Sequence, residues 1–103
     1  MKEDEIFLPI DGYDNYLISS YGRVINVNTS RTLKQYDKNG RKYVTLSYNG
    51  ITKHYYVHRL VAVAFIEKDE CSLSVRHIDG DKSNNYYKNL EWIWKESFKW
   101  VKN

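Results

Sequence analysis

Two Asn-Gly pairs border a segment of alternating side chains, and this arrangement constrains the fold more than any other feature. Asn39-Gly40 and Asn49-Gly50 flank residues 42–48, where one set of side chains alternates with another: Tyr43, Thr45 and Ser47 with Val44, Leu46 and Tyr48. Asn-Gly readily adopts the positive φ angles of tight hairpin turns, and strand side chains point alternately to opposite faces. We therefore expect a turn over 37–40, a strand over 42–48 and a returning strand over 52–57.

The remaining elements are shorter and follow from local patterns. Further strands are predicted over residues 16–19, 23–27, 33–36 and 75–78, and a helix after about Lys95. His58–Ile66 is mostly apolar and suits a short buried helix, although a buried strand has the same composition. The first half should form an antiparallel meander, followed by a helix and a second, smaller unit.

Composition excludes several classes of protein. The chain has 103 residues, of which 28% are charged and 42% hydrophobic, as expected for one globular domain. A single cysteine, Cys71, excludes a disulfide framework and a Cys-rich zinc site. No segment approaches the roughly 20 apolar residues of a membrane span. The acidic N-terminus does not resemble a signal peptide. A cytoplasmic location without membrane contact is therefore expected.

Charge is distributed unevenly along the chain. Residues 1–15 carry five acidic side chains against Lys2, whereas residues 23–59 carry eight Lys or Arg side chains against Asp37 alone. A basic stripe of this kind favours a polyanion such as nucleic acid. A solubilising surface would give the same count, so charge alone leaves both interpretations open.

The segment from Val75 to Trp92 is the one that suggests chemistry. It places His77 at a strand end, and the following Gly80-containing loop is rich in Asp and Asn side chains that can bond their own backbone. Such a loop can hold an imidazole rigidly, as a general base must be held. A lone histidine is more often structural, so the pattern alone leaves its role open.

The order of residues in this segment resembles the HNH motif of phage and intron-encoded homing endonucleases. The similarity lies in Val75-x-His77-Ile-Asp-Gly-Asp-x-x-x-Asn85 and in Asn89-Leu-Glu-Trp92. The preceding residues 57–66 (VHRLVAVAFI) are similar to the helix that leads into that motif. Further upstream, residues 10–24 resemble the small DNA-associated module that often precedes it. The resemblance covers nearly the whole chain, about residues 5–98.

The resemblance implies a mechanism and a set of roles. A histidine that activates a water to attack a DNA phosphate would be His77. The asparagine that braces the loop and orients this histidine would be Asn89, with Asn85 as the weaker candidate. In such enzymes one divalent metal binds the scissile phosphate. Its ligands are an Asp or Asn directly before the histidine and an Asn or His on the following helix.

Both metal-ligand positions depart from the family pattern. Arg76 precedes His77, and Phe98 stands where similar enzymes carry an asparagine. An arginine offers no acceptor atom and repels Mg²⁺, and phenylalanine has no ligand atom. Two alternatives stay open. Asp79 and Asp81 could chelate a metal from the loop, or Arg76 could bind the phosphate in place of the metal. We expect neither a metal site nor a cofactor, with Mg²⁺ only if the chain cleaves DNA.

The expected fold is α+β: an N-terminal antiparallel sheet module (1–57), a short buried helix and an HNH-like ββα module (58–103), together one compact unit. Double-stranded DNA is the expected partner. The residues expected to bind it are all basic: Arg23, Arg31, Lys34, Arg41, Lys42, Lys53 and Arg76. The preferred function is a catalytically degenerate, DNA-binding relative of HNH endonucleases, so we lean against an enzyme. The alternatives are an active nicking endonuclease using His77 and a phage-type inhibitor or adaptor of a host protein.

Overall fold

A computed structural model of the chain describes residues 4–68, 72 and 74–93. The predicted C-terminal helix and Cys71 lie outside these residues, as do Trp94, Phe98 and Trp100. Three antiparallel sheets and one α-helix make up the described part of the chain.

Four short strands form the first sheet, in the order β1-β2-β3-β4. They are β1 (Phe7–Ile10), β2 (Tyr13–Ser19), β3 (Val24–Asn26) and β4 (Arg31–Thr32). The turn between β2 and β3 contains Gly22 at φ 90°, a conformation that only glycine adopts without strain. The strands predicted over residues 16–19 and 23–27 are thus found with shifted ends, and β1 was not predicted.

The two Asn-Gly pairs shape the second sheet as expected. Asn39 and Gly40 have φ angles of 54° and 84°, and Asn49 and Gly50 have 52° and 78°, so both residues of each turn have the positive φ of a type I′ hairpin. The strands are β5 (Tyr36–Lys38), β6 (Arg41–Tyr48) and β7 (Ile51–Tyr56). The period-2 pattern is confirmed, since Val44 and Leu46 are both fully buried.

The strand predicted over 33–36 is wrong, and so is the four-residue turn over 37–40. Pairing of Tyr36 with Tyr43 and of Lys38 with Arg41 keeps Asp37 and Lys38 in the ladder, which leaves Asn39-Gly40 as a two-residue loop. Residues 33–35 form the connection between the two sheets. The predicted meander is therefore two separate sheets rather than one.

A helix, α1, spans Val57–Phe65, which decides between the helix and the strand left open by composition. Its buried side chains, Val57, His58, Val61 and Ala62, recur at the spacing of one helical face. Beyond it, β8 (Ser74–His77) pairs with β9 (Leu90–Ile93), and a 3₁₀ turn over Tyr87–Asn89 leads into β9. None of the helices in the described ranges has the length and apolar character needed to cross a membrane.

One buried cluster joins all three sheets through α1. Ile18 and Val24 of the first sheet, Val44 of the second, Val61 of α1 and Leu90 of β9 belong to it. Truncating a buried Leu, Ile or Val in such a shared core typically costs about 2–5 kcal/mol. Because α1 packs against both the N-terminal sheets and the β8–β9 hairpin, it fixes the hairpin that carries His77 relative to the strands before it.

Candidate active site and nucleic-acid interface

His77 ends β8 and is held by an asparagine of the loop that follows. Its Nε2 lies 2.7 Å from Oδ1 of Asn85, and Asn85 is 5% exposed. An amide oxygen only accepts hydrogen bonds, so Nε2 of the neutral ring carries the proton. This leaves the Nδ1 lone pair as the basic atom of His77, the state that a general base requires.

Asn89 braces the loop between the two strands of the hairpin. Its Nδ2 donates to Oδ1 of Asp79 at 2.9 Å and to the carbonyl of Asn84 at 2.9 Å, while its Oδ1 accepts from the Asp79 amide at 3.1 Å. The resemblance implied that one asparagine both braces the loop and orients the histidine. In the structure Asn89 contacts the loop, and Asn85 contacts the His77 ring.

The two loop carboxylates are engaged in shaping the turn. Asp79 accepts hydrogen bonds from Asn84, Asn89 and the Asp81 amide, and these bonds lower its pKa. Asp81 accepts from the Ser83 hydroxyl at 2.7 Å and the Ser83 amide at 3.0 Å, which lowers its pKa as well. Asp79 accepts these bonds with both carboxylate oxygens and Asp81 with its Oδ1, so both side chains serve as loop-shaping acceptors.

Arg76 is exposed and paired across the hairpin with Glu91. Its Nε donates to Oε2 of Glu91 at 2.6 Å, and the two residues are register partners in the ladder. A guanidinium has no acceptor atom, so the residue directly before His77 cannot coordinate a cation. The described residues contain no group of three or more His, Cys, Asp or Glu side chains that could hold a metal ion. The donor set on this side of His77 therefore does not fit Mg²⁺, and Phe98 lies outside the described residues.

A second histidine contacts His77. The ring centroids of His58 and His77 are 5.1 Å apart, and the Tyr56 ring centroid lies 5.4 Å from that of His58. His58 is 6% exposed, and its buried Nδ1 has no hydrogen-bond partner among the described residues. Burial, with the positive charges of His77, Arg41 and Arg59, lowers the pKa of His58 to about 4. It is therefore a neutral ring at pH 7.

The basic residues expected to bind DNA do not share one surface. Cross-strand partners lie on the same face of a sheet, so Arg41 shares a face with Lys38, whereas Lys53 shares the opposite face with the buried Leu46. Lys42 lies on that opposite face too, and its Nζ is 3.4 Å from Asp37.

The first sheet holds two more of the predicted cations. Arg23 is ion-paired with Glu5, its Nε lying 2.8 Å from Oε2, and this pairing raises its pKa. Arg31 is exposed on β4. Lys34 follows in the connection between the sheets, with its Nζ 5.5 Å from the Tyr36 ring centroid. The basic residues that form one stretch in the sequence are thus separated in the structure, on two sheets and on opposite faces of the second sheet.

One face of the second sheet combines aromatic rings with basic side chains. We call it the outer face, and by strand register it consists of Tyr36, Lys38, Arg41, Tyr43, Thr45, Ser47, Thr52, His54 and Tyr56. Tyr43 contacts Tyr36 and His54 at centroid distances of 5.6 and 4.9 Å, and Thr45 Oγ1 lies 2.9 Å from Nδ1 of His54. Charge counting missed the aromatic members, which period-2 alternation from Arg41 would have identified.

A chain of ring contacts links the outer face to His77. Tyr56, the last residue of that face, contacts His58, which contacts His77. Nearby, Nζ of Lys82 reaches the carbonyl of Asn39 at 3.5 Å, so the hairpin loop after His77 touches the β5–β6 turn. The outer face and His77 are therefore linked in two ways, through the buried ring of His58 and through this contact between loop and turn.

Known proteins share both halves of this arrangement. Residues 5–49 match the NUMOD4 motif, and residues 55–97 match the HNH endonuclease family. The chain therefore carries an HNH endonuclease domain preceded by a NUMOD4 motif.

Among relatives, the DNA endonuclease I-HmuI of Bacillus phage SP01 is 42% identical over 86 residues, covering 82% of this chain and 49% of that protein. Two uncharacterized HNH endonucleases of Acanthamoeba polyphaga mimivirus are each 40% identical, over 92 and 97 residues. These alignments cover 88% and 89% of this chain but only 28% and 24% of the viral proteins. The chain thus spans half or less of the length of these relatives.

A solved structure reports DNA binding and cleavage by the HNH homing endonuclease I-HmuI. It matches 94% of this chain with a TM-score of 0.82 at 33% sequence identity, covering 57% of the other chain. The expected fold, an N-terminal antiparallel sheet followed by a helix and an HNH-like hairpin, is confirmed by this match.

Proposed function

We propose that the chain binds double-stranded DNA on a surface running from the outer face to His77, without cleaving it efficiently. The observation that carries the second part is the Arg76–Glu91 pair. A donor-only side chain, already neutralised by a carboxylate, occupies the position where HNH enzymes carry a metal ligand. Members of this family usually use a divalent metal, which polarises the phosphate. The described residues contain no set of ligand atoms that could hold such a metal.

The DNA-binding part is supported by the composition of the outer face. Lys38 and Arg41 supply phosphate-binding charge, and Tyr36, Tyr43 and His54 supply rings beside them. Phosphate contacts by Lys and Arg provide most of the affinity of such surfaces and make it dependent on salt. Two relatives are described as endonucleases of a phage and a virus, and the matched structure reports DNA binding and cleavage by I-HmuI, which agrees with this choice of partner.

DNA binding is tested by titrating a fluorescent 30-base-pair duplex at several salt concentrations. We expect affinity to fall steeply as salt rises, by about 0.9 logarithmic units per phosphate contact per tenfold change in salt. Lys38→Ala, on the outer face, should weaken binding and lower this slope by about one contact. Lys53→Ala removes the same charge from the opposite face of the same sheet and serves as the matched control. Equal effects of the two variants, or no binding at 50 mM salt, would contradict the proposal.

Cleavage is tested on supercoiled plasmid with Mg²⁺ or Mn²⁺. We expect nicking by the protein to equal the background of the His77→Ala variant. One observation favours the active enzyme as a second candidate: the His77–Asn85 and Asn89–Asp79 contacts are complete. Nicking that disappears in His77→Ala would establish that candidate. Absence of both DNA binding and nicking would instead favour the protein-binding alternative.

A further inference from the structure

The turn at residues 19–23 of the first sheet packs directly against the asparagine that holds His77. Gly22 is buried, and a Cβ atom built on it would lie 2.8 Å from Cβ and 3.3 Å from the carbonyl oxygen of Asn85. Real Cβ atoms do not approach other atoms so closely, so the bare Gly22 Cα is what allows Asn85 to occupy its place. Asn85 in turn bonds Nε2 of His77 at 2.7 Å.

Internal hydrogen bonds make this turn rigid. The Ser19 hydroxyl is fully buried and accepts from the amides of Tyr21 and Arg23 at 3.1 and 2.9 Å. The Gly22 amide donates to the Ser19 carbonyl at 2.9 Å. A turn with its polar groups satisfied in this way can transmit a displacement instead of absorbing it.

The same turn also contacts the two residues of the HNH segment that follow Asn85. The Tyr87 amide donates to the Ser20 carbonyl at 2.9 Å. The rings of Tyr21 and Tyr86 are stacked, with centroids 4.7 Å apart and planes 16° from parallel. Asn85 therefore packs against Gly22, and the two residues that follow Asn85 contact the two residues that precede Gly22.

A side chain from the intersheet connection completes the link. Nε2 of Gln35 donates to the Gly22 carbonyl at 2.7 Å. Gln35 lies between Lys34 and Tyr36, and Tyr36 belongs to the outer face. A continuous path of contacts therefore runs from the outer face through Gln35, Gly22 and Asn85 to His77.

We infer that Gly22 and Gln35 are positioning residues for His77. In this arrangement the N-terminal module forms a wall of the histidine site as well as a surface for DNA. A path of contacts thus links the outer face to the residue that orients the imidazole. The relevance of this path to DNA chemistry rests on the proposed function, but the positioning of His77 does not.

The test is the tautomer of His77, read from its ring ¹⁵N chemical shifts at a pH where the ring is neutral. The wild-type protein should show the Nε2–H form as the dominant species. In Gly22→Ala the added methyl displaces Asn85, and we expect this dominance to be lost. Gly12→Ala and Gly50→Ala are matched controls, since these glycines have φ angles of 85° and 78° and an added Cβ would meet nothing within 4 Å. They carry the same backbone strain and should leave the His77 signals unchanged.

A second variant keeps the test decisive if Gly22→Ala does not fold. Gln35→Ala removes one hydrogen bond without strain and should shift the His77 tautomer in the same direction, whereas Lys34→Ala should not. Unchanged His77 signals in folded Gly22→Ala or Gln35→Ala would overturn the inference. Duplex binding measured on the same samples separates the two claims: a responsive tautomer without DNA binding refutes only the proposed function.

Discussion

The carboxamide oxygen of Asn85 accepts a hydrogen bond from Nε2 of His77 across 2.7 Å, and this contact sets which ring nitrogen is basic. Asn89 lies four residues further along the chain and bonds the loop backbone. Orientation of the histidine and bracing of its loop are thus assigned to two different asparagines, so the two roles can be separated by substitution.

Asn85→Ala should release the His77 ring while leaving the loop intact. The ring loses its acceptor, so we expect a mixture of Nδ1–H and Nε2–H tautomers in ¹⁵N NMR spectra instead of one form. Loss of a buried hydrogen bond should also lower the free energy of unfolding by about 1–3 kcal/mol. Asn84→Ala is the control, because that amide bonds Asp79 rather than His77. A single Nε2–H form in Asn85→Ala would show that another group sets the tautomer.

Asn89→Ala should destabilise the hairpin loop instead. Three hydrogen bonds are lost, two of them to Asp79, and we expect the free energy of unfolding to fall by about 1–3 kcal/mol in urea titrations. Amide exchange at Asp79 should accelerate, since its N–H loses its acceptor. Stability equal to the wild-type protein would mean that the loop is held by Asp79 and Asp81 alone.

Much of the fold could be predicted because local chemistry decides it. The two Asn-Gly pairs require the turns that they form, and the alternation of Val44 and Leu46 with polar residues fixes which face of β6 is buried. The error at 33–40 has a clear cause. Asp37 and Lys38 have turn-forming composition, but ladder pairing with Lys42 and Arg41 holds them in β5.

The candidate site was harder to predict, because its contacts join distant segments. His77 and Asn89 could be identified because their segment resembles the HNH motif. The packing of Asn85 against Gly22 joins residues that are far apart in sequence, and no local sequence pattern predicts it. The division of Arg41 and Lys53 between opposite faces follows from strand register, which a count of charges along the chain does not contain.

Acid should destabilise the fold through His58. Its pKa is about 4 in the folded protein and about 6.5 when unfolded, so the unfolded chain binds more protons between these values. The His58 contribution to stability is fully present above about pH 6.5 and is lost as the pH falls towards 4. The difference corresponds to at most about 3 kcal/mol. Tyr56, His77, Arg41 and Arg59 surround the ring, and the last three disfavour its charged form.

The measurement is the free energy of unfolding at several pH values between 4 and 7, compared within each variant. His58→Gln removes the titration, so its curve should be flatter over this window than that of the wild-type protein. His54→Gln removes an exposed histidine from the outer face and is the matched control. Asp79 and Asp81 have lowered pKa values and lose their contributions only at more acidic pH. Identical slopes for His58→Gln and the wild-type protein would contradict the assignment.

Placing ligand residues at both family metal positions should produce metal-dependent cleavage if Arg76 and Phe98 are what prevents it. Arg76→Asp replaces a donor-only cation by a carboxylate directly before His77, and Phe98→Asn supplies the amide that similar enzymes carry, as the resemblance implies. Mg²⁺ could then polarise a phosphate beside a histidine that Asn85 already holds. We expect the double variant to nick supercoiled plasmid at least tenfold faster than the wild-type protein, and EDTA or an added His77→Ala substitution to abolish the gain. Either single variant should gain less than the double variant, because Mg²⁺ is held by one or two protein ligands together with substrate phosphates and each single variant supplies only one of the two. A double variant that folds, binds Mg²⁺ and still does not nick would show that the site lacks more than its metal ligands.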